Sequence, residues 1–222
     1  MTRPRPAPGG GRVLGVAPER LDRWLDGVAD RHGAFDVQLD GAGPVVTCAD
    51  GTVVRLTAPY GWTPDVPLLT AFTAAAREPR RTAVLLVRRG RWAVGVFHGT
   101  ELVVSKVDAR QVQGRTAAGG WSQQRFARRR GNQTDAVVSH AVDTAARVLL
   151  PHAAGLVALA PGGDRGLAAE VLADPRLRSL AALPQLPALD VGEPTKVVLL
   201  ETPGQFRAVR VHIVEPPDRT SS

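Results

Sequence analysis

One run of residues constrains the fold of this chain more than any other. Val137, Val138, Ala141, Val142, Ala145, Val148 and Leu149 recur at helical spacing and make a broad apolar stripe. Helical character begins near Ser122, and Pro151 stops it, so the pattern predicts a helix to about Leu150. Gly131–Asn132 falls inside that span and is the expected point of a break or kink. Before the helix, Ala83–Val87 is a continuous apolar run, as in a buried strand. Trp92–Phe97 and Thr100–Val107 follow it, separated by R-R-G-R and by H-G-T. The three read as an antiparallel meander.

Beyond the helix, Gly155–Ala160 reads as a strand, Pro161-Gly-Gly-Asp164 as a turn and Gly166–Leu172 as a short helix. A Pro- and Leu-rich connection crosses Arg178–Val191, and Lys196–Leu200 and Phe206–Val214 read as strands. The order strand-strand-strand-helix-strand-helix-strand resembles an RNase H-like α/β sheet, by fold-level analogy. Upstream lies a smaller α+β pattern. A helix is expected from Pro18 to His32, with Leu21, Trp24, Leu25 and Val28 on one face. Strands are expected at Phe35–Leu39, Val45–Cys48 and Val53–Ala58, the last two joined by the hairpin turn A-D-G-T. A second helix is expected from Asp65 to Arg77, ended by Pro79. Trp24, Tyr60 and Trp62 read as packing residues. The expected organisation is a disordered tail at 1–12, a small α+β subdomain at 13–80, a larger domain at 82–215 and a disordered tail at 216–222.

The 222 residues carry a formal net charge of +7, which favours an anionic partner, nucleic acid first. Lys106 and Lys196 are the only lysines, so the positive charge is almost all arginine, whose planar fork suits phosphate. A GC-rich coding sequence is the competing source of that preference. Cys48 is the single cysteine, which excludes a disulfide framework and a cysteine-based zinc site and fits a cytoplasmic location. The basic N-terminus has no apolar core behind it, so no secretory signal is read there, and no apolar run is long enough to span a membrane.

The chemistry concentrates in Gly114–Asn132. Gly119 and Gly120, beside Ala117 and Ala118, leave a tip with little bulk and wide backbone freedom. Gln123 and Gln124 follow. Glutamine is a poor general base, so its role would be to orient a water or stabilise an oxyanion through its side chain or backbone N–H. Arg125, Arg128, Arg129 and Arg130 come next, the first three sharing a helical face suited to a phosphate-rich surface. The plain alternatives are a mobile surface loop with incidental glutamines and a solvated basic face. Other chemistries lack support. Ala83–Val87 has no acid of the kind a metal-dependent nuclease needs at its first strand, and Asp108, Asp135 and Asp143 do not replace one. His98, His140, His152, His212 and Cys48 show no metal-ligand spacing, and no G-x-S-x-G elbow is present. His140 reads as a helix-surface pair with Asp143.

The run G-G-W-S-Q-Q-R-F-A-R-R-R resembles the G-G-Q-S-x-x-R-F-A-R segment of eukaryotic and archaeal class-one peptide release factors. One departure stands out: aligned on Arg125-Phe126, Trp121 falls where those factors have their catalytic glutamine. With a residue or two of slack the glutamine is Gln123, and the motif resembles that of Vms/ANKZF-type release-factor-like hydrolases, whose bacterial members the chain is similar to. The resemblance implies an α+β architecture ending in an RNase H-like release-factor catalytic domain over roughly Thr82–Val214. It implies hydrolysis of the peptidyl-tRNA ester on stalled or split large subunits without a stop codon, by a metal-independent enzyme with no cofactor. Gln123, with Gln124 as fallback, would be catalytic on a tip opened by Gly119 and Gly120. Arg115, Arg125, Arg128, Arg129 and Arg130 would hold RNA, and Trp121 would stack on a base or shield the tip. The implied partners are ribosomal RNA of the large subunit and peptidyl-tRNA, with no membrane, for a monomeric protein. A non-catalytic RNA-binding module with the same basic helix is the alternative.

Overall fold

A computed structural model describes residues 4–41, 43–63, 69–109 and 123–216, the last segment with side chains from 135 onward. In chain order, β1 (Arg5–Pro6) and β2 (Arg12–Val16) form a short hairpin. A 3-10 turn at Pro18–Arg20 leads into α1 (Leu21–His32), which buries Leu21, Leu25 and Val28 and stops at Gly33, φ 81°. Then come β3 (Phe35–Asp40), β4 (Gly43–Cys48), β5 (Val53–Thr57) and α2 (Leu69–Arg77). The meander follows as β6 (Arg81–Arg88), β7 (Arg91–His98) and β8 (Glu101–Ala109). After it stand α3 (Gln123–Leu149), β9 (Ala158–Gly163), α4 (Arg165–Leu172), α5 (Arg178–Ala181), α6 (Lys196–Glu201), α7 (Pro203–Phe206) and β10 (Val209–Val214). The fold is α+β.

Two compact units result. The first comprises Met1–Glu78 with Pro203–Ser222; the second, Pro79–Thr202, is inserted between them. The first unit is a six-stranded antiparallel sheet in the order β1-β2-β10-β5-β4-β3. Alternate residues of β2, β4, β5 and β10, among them Leu14, Val46, Leu56 and Val211, pack with α1 and α2 into one core. Trp24 and Trp62 join that core, Trp62 edge-on to Phe72 at 5.1 Å between ring centroids. The hairpin turn between β4 and β5 uses Gly51 at φ 90°, and Cys48 N–H donates to the Thr52 carbonyl at 2.8 Å.

The second unit is a four-stranded mixed sheet, β8-β7-β6-β9, antiparallel except for the parallel β6–β9 pair that the long α3 crossover makes possible. Six consecutive residues are buried in each of β6 and β7, which is why both strands are apolar throughout. α3 and α4 cover one face. On the other, Gly95 and Gly162 leave room for Leu199 of α6 and for Leu189.

Several expectations change. Residues 5–16, taken partly as tail, form β1 and β2, because β2 pairs with β10 and buries Leu14 and Val16. The fourth strand of the second unit is Ala158–Gly163 rather than Gly155–Ala160: the Pro-Gly-Gly segment continues the pairing with β6, and Gly163 carries the turn at φ 84°. Lys196–Glu201 is a helix, not a strand, started by Thr195, whose hydroxyl accepts the Val198 N–H at 3.2 Å. The last strand, Val209–Val214, pairs with β2 and β5 and so belongs to the first unit's sheet rather than to a domain spanning 82–215. α3 runs through Gly131–Asn132 without a break.

Candidate functional site

The candidate chemistry falls between the end of β8 and the start of α3. Arg115, Gly119, Gly120 and Trp121 lie outside the described residues. Gln123 and Gln124 are the first two residues of α3, and Arg125, Arg128, Arg129 and Arg130 follow in its opening turns. The described backbone of the helix therefore takes in the glutamine pair and carries the arginine run. At 1.5 Å per residue α3 is about 40 Å long, and about 21 Å of rise separates Gln123 from Val137.

From Val137 onward the helix is built into the second unit. Val137, Ala141, Val142, Ala145 and Leu149 are buried with Trp92, Val94 and Val96 of β7 and Leu85 of β6. Inside this apolar seam sits one polar contact. Trp92 Nε1–H donates to Thr144 Oγ1 at 3.0 Å, and that hydroxyl donates to the His140 carbonyl at 2.8 Å. Trp92 and Thr144 are each 3% exposed, so the indole N–H has no access to water. The His140 ring stacks on Trp92, centroids 6.0 Å apart and planes 11° from parallel.

The solvent side of α3 is tied by an ion-pair chain. Arg176 Nη1 reaches Asp143 Oδ1 at 2.8 Å while its Nε holds Asp174 Oδ1 at 3.0 Å. Hydrogen bonds from the Arg176 side chain and backbone hold the Asp174 carboxyl below the usual range, and the two carboxylates raise the guanidinium's own affinity for its proton. Asp143 therefore pairs with Arg176, not with His140 as expected. Arg176, Asp174 and the Trp92–Thr144 pair were not legible in the sequence. Thr144 is the signal that was there to read: a hydroxyl inside an apolar stripe has to find a buried partner.

Two other features lie away from α3. In the first unit His32 Nδ1 lies 2.7 Å from Asp50 Oδ2, with Thr52 Oγ1 donating to the same carboxylate oxygen at 3.1 Å. That bond to His32, then the Thr52 N–H, holds the Asp50 carboxyl below its ordinary range. The cluster ties the end of α1 to the β4–β5 turn. In the second unit a groove of about 250 Å³ between α4 and residues 185–188 has Arg165 as its one charged lining residue. Among the described residues no group of three His, Cys, Asp or Glu side chains is placed to hold a metal ion. No helix of the described residues is long and apolar enough to cross a membrane.

A family model described as "Actinobacteria/chloroflexi VLRF1 release factor" matches residues 80–212, more than half of the chain. The chain belongs to this release-factor family. The matched region of the VLRF1 family begins at β6, takes in the glutamine pair, the arginine run and all of α3, and ends inside β10. Two solved structures are also similar. One is described as "Archaeal protein", at 18% identity over 73% of this chain and 52% of that one, with a TM-score of 0.36. The other is described as "Crystal structure of archaeal translation termination factor, aRF1", at 17% identity over 73% of this chain and 51% of that one, with a TM-score of 0.37. The chain thus spans about half the length of each. No curated protein matches it.

Proposed function

We propose that this chain hydrolyses the ester of peptidyl-tRNA on large ribosomal subunits with a stalled nascent chain, without reading a stop codon. One observation carries the reading: the run G-G-W-S-Q-Q-R-F-A-R-R-R falls inside the region matched by a release-factor family, and its Q-Q-R-F-A-R-R-R part lies in the 27-residue helix α3.

The chemistry follows from residue types. Gly119 and Gly120 let the tip extend into a narrow cavity. Arg115, Arg125, Arg128, Arg129 and Arg130 hold RNA phosphates. Gln123 orients a water against the ester carbonyl carbon. The water oxygen bonds to that carbon, the bond to the ribose oxygen of the terminal adenosine breaks, and the leaving oxygen takes up a proton. Free peptide and deacylated tRNA result. The reaction is a metal-independent hydrolysis, and ribosomal RNA supplies the walls of the cavity.

The test is release of labelled peptide from purified large subunits carrying peptidyl-tRNA. Gln123→Ala is expected to slow release on the order of 100-fold, with Gln124→Ala close to wild type. Loss in Gln124→Ala alone would move the role to Gln124. A wild-type protein that binds subunits but releases nothing at saturation overturns the hydrolase reading. It would favour a non-catalytic ribosome-binding module, the reading motivated by Trp121 standing where class-one release factors have glutamine.

A further inference from the structure

The first unit's sheet has one face packed on α1 and α2 and one open face. Residues that alternate with the buried ones point to the open side. On β5 these are Val53, Arg55 and Thr57; on β10 they are Arg210, His212 and Val214, with the two valines paired and half-buried at one end. Register brings them together: Arg210 lies opposite Thr57, and His212 lies opposite Arg55. Arg55 and Arg210 are therefore diagonal neighbours, about 7–8 Å apart at the backbone, in the middle of the sheet. Arg5, opposite Val13, extends the same row.

Like charges at this spacing repel, and the fold makes no use of them. Three arginines of the same unit pair with carboxylates, Arg12 with Glu215, Arg77 with Asp22 and the buried Arg207 with Glu19 at 2.6 Å, whereas Arg20, Arg23 and Arg31 of α1 and the turn before it do not, among the described residues. Arg55 and Arg210 are exposed and make no ion pair or hydrogen bond among the described residues. His212 Nε2–H donates to the Gly10 carbonyl at 2.9 Å, which holds the ring beside them. The acids on this face, Asp36 and Asp40, sit on the edge strand β3, two strands away from Arg55.

We infer that this open face, centred on Arg55 and Arg210, docks the sugar–phosphate backbone of a ribosomal RNA helix. Two guanidinium groups kept without a carboxylate are complementary to phosphate. The open-face residues of β4, β5 and β10 include no Phe, Tyr or Trp on which single-stranded bases would stack. At about 4.8 Å per strand the face is roughly 24 Å across, wide enough for a duplex read by its phosphates and 2′-hydroxyls. Thr47 and Thr57 add exposed hydroxyls to it. The inference needs the family's place at the ribosome and not the hydrolytic step.

The experiment compares the full chain with its Arg55→Gln/Arg210→Gln variant. The probes are a labelled RNA duplex about two turns long, deacylated tRNA and purified large subunits, each titrated over a range of salt. Binding to the duplex and to large subunits is expected to weaken about tenfold at physiological salt, and the slope of log K against log salt to fall by about 1.4–1.8. Circular dichroism and peptide release at saturating protein are expected to match the wild type, which separates this result from a failure of Gln123. Asp36→Asn is expected to bind at least as well as wild type. Unchanged affinity and slope in the double variant overturn the inference. So does a loss confined to tRNA, or a loss on large subunits with none on the naked duplex, which would assign the face to tRNA or to a ribosomal protein.

Discussion

The anchor of α3 makes a quantitative prediction. Thr144→Val keeps the shape of the side chain and removes its oxygen. Trp92 Nε1–H, 3.0 Å from that oxygen and 3% exposed as a residue, then has no acceptor and no water. An orphaned buried donor costs about 1–3 kcal/mol, so the expected destabilisation is about 2 kcal/mol. The His140 carbonyl loses only a second donor, because the helical N–H of Thr144 still reaches it. Thr144→Ser keeps the oxygen and is expected to lose only about 1 kcal/mol, one buried methyl group. Trp92→Phe in the Thr144→Val background removes the orphan and is expected to cost less than the sum of the single changes, with a coupling of about 1–2 kcal/mol. Hydrogen exchange at the amides of residues 137–149 resolves this locally, and a 2 kcal/mol loss would speed exchange about 30-fold where local opening controls it. A Thr144→Val variant less than about 0.5 kcal/mol below wild type, or a cycle with no coupling, would refute the reasoning.

Two further predictions follow from close geometry and from charge. A Cβ at Gly162 would stand 2.8 Å from both Leu189 Cβ and Leu86 Cδ2, so Gly162→Ala is expected to destabilise the second unit by about 1–3 kcal/mol; calorimetry showing an unchanged transition would count against the packing described. Asp50 titrates below its ordinary value of 3.8, so its stabilising effect is complete above that value and is lost as pH falls through the lower folded value. Asp50→Asn is expected to flatten the acid limb of a stability–pH profile below about pH 4, and a variant with the wild-type limb would exclude the His32–Asp50 contact as its source.

Legibility in the sequence followed the strength of periodic signals. The meander and α3 were plain because β6 and β7 are buried on both faces and because α3 repeats its apolar stripe over several turns. β2 was missed: R-V-L-G-V is short, Gly15 interrupts it, and only pairing with a strand almost 200 residues later makes it a strand. Lys196–Glu201 shows the opposite error. Val197 and Val198 favour strands locally, yet a Thr195 cap and the burial of Leu199 over Gly95 make a helix. The arginine run of the candidate site was legible as composition and motif. Its anchor was not, since Trp92, Thr144 and Arg176 meet only once the sheet and α3 are packed. Arg55 and Arg210 were hidden for the same reason: they are 155 positions apart in the chain and become neighbours through β-sheet register alone.

The position of β10 has a consequence for how the chain is made. β10 lies between β2 and β5, and among the described strands it is the last to be synthesised. Until it leaves the ribosome, β1-β2 and β5-β4-β3 are two unjoined pieces, and the whole second unit is translated in the interval. At roughly 5–20 residues per second the wait from β5 to the end of β10 lasts about 8–31 s. A nascent chain that ends before Val209 has α3 and its glutamines but neither the joined sheet nor Arg210. Whatever the open face binds, it binds only after synthesis has passed β10.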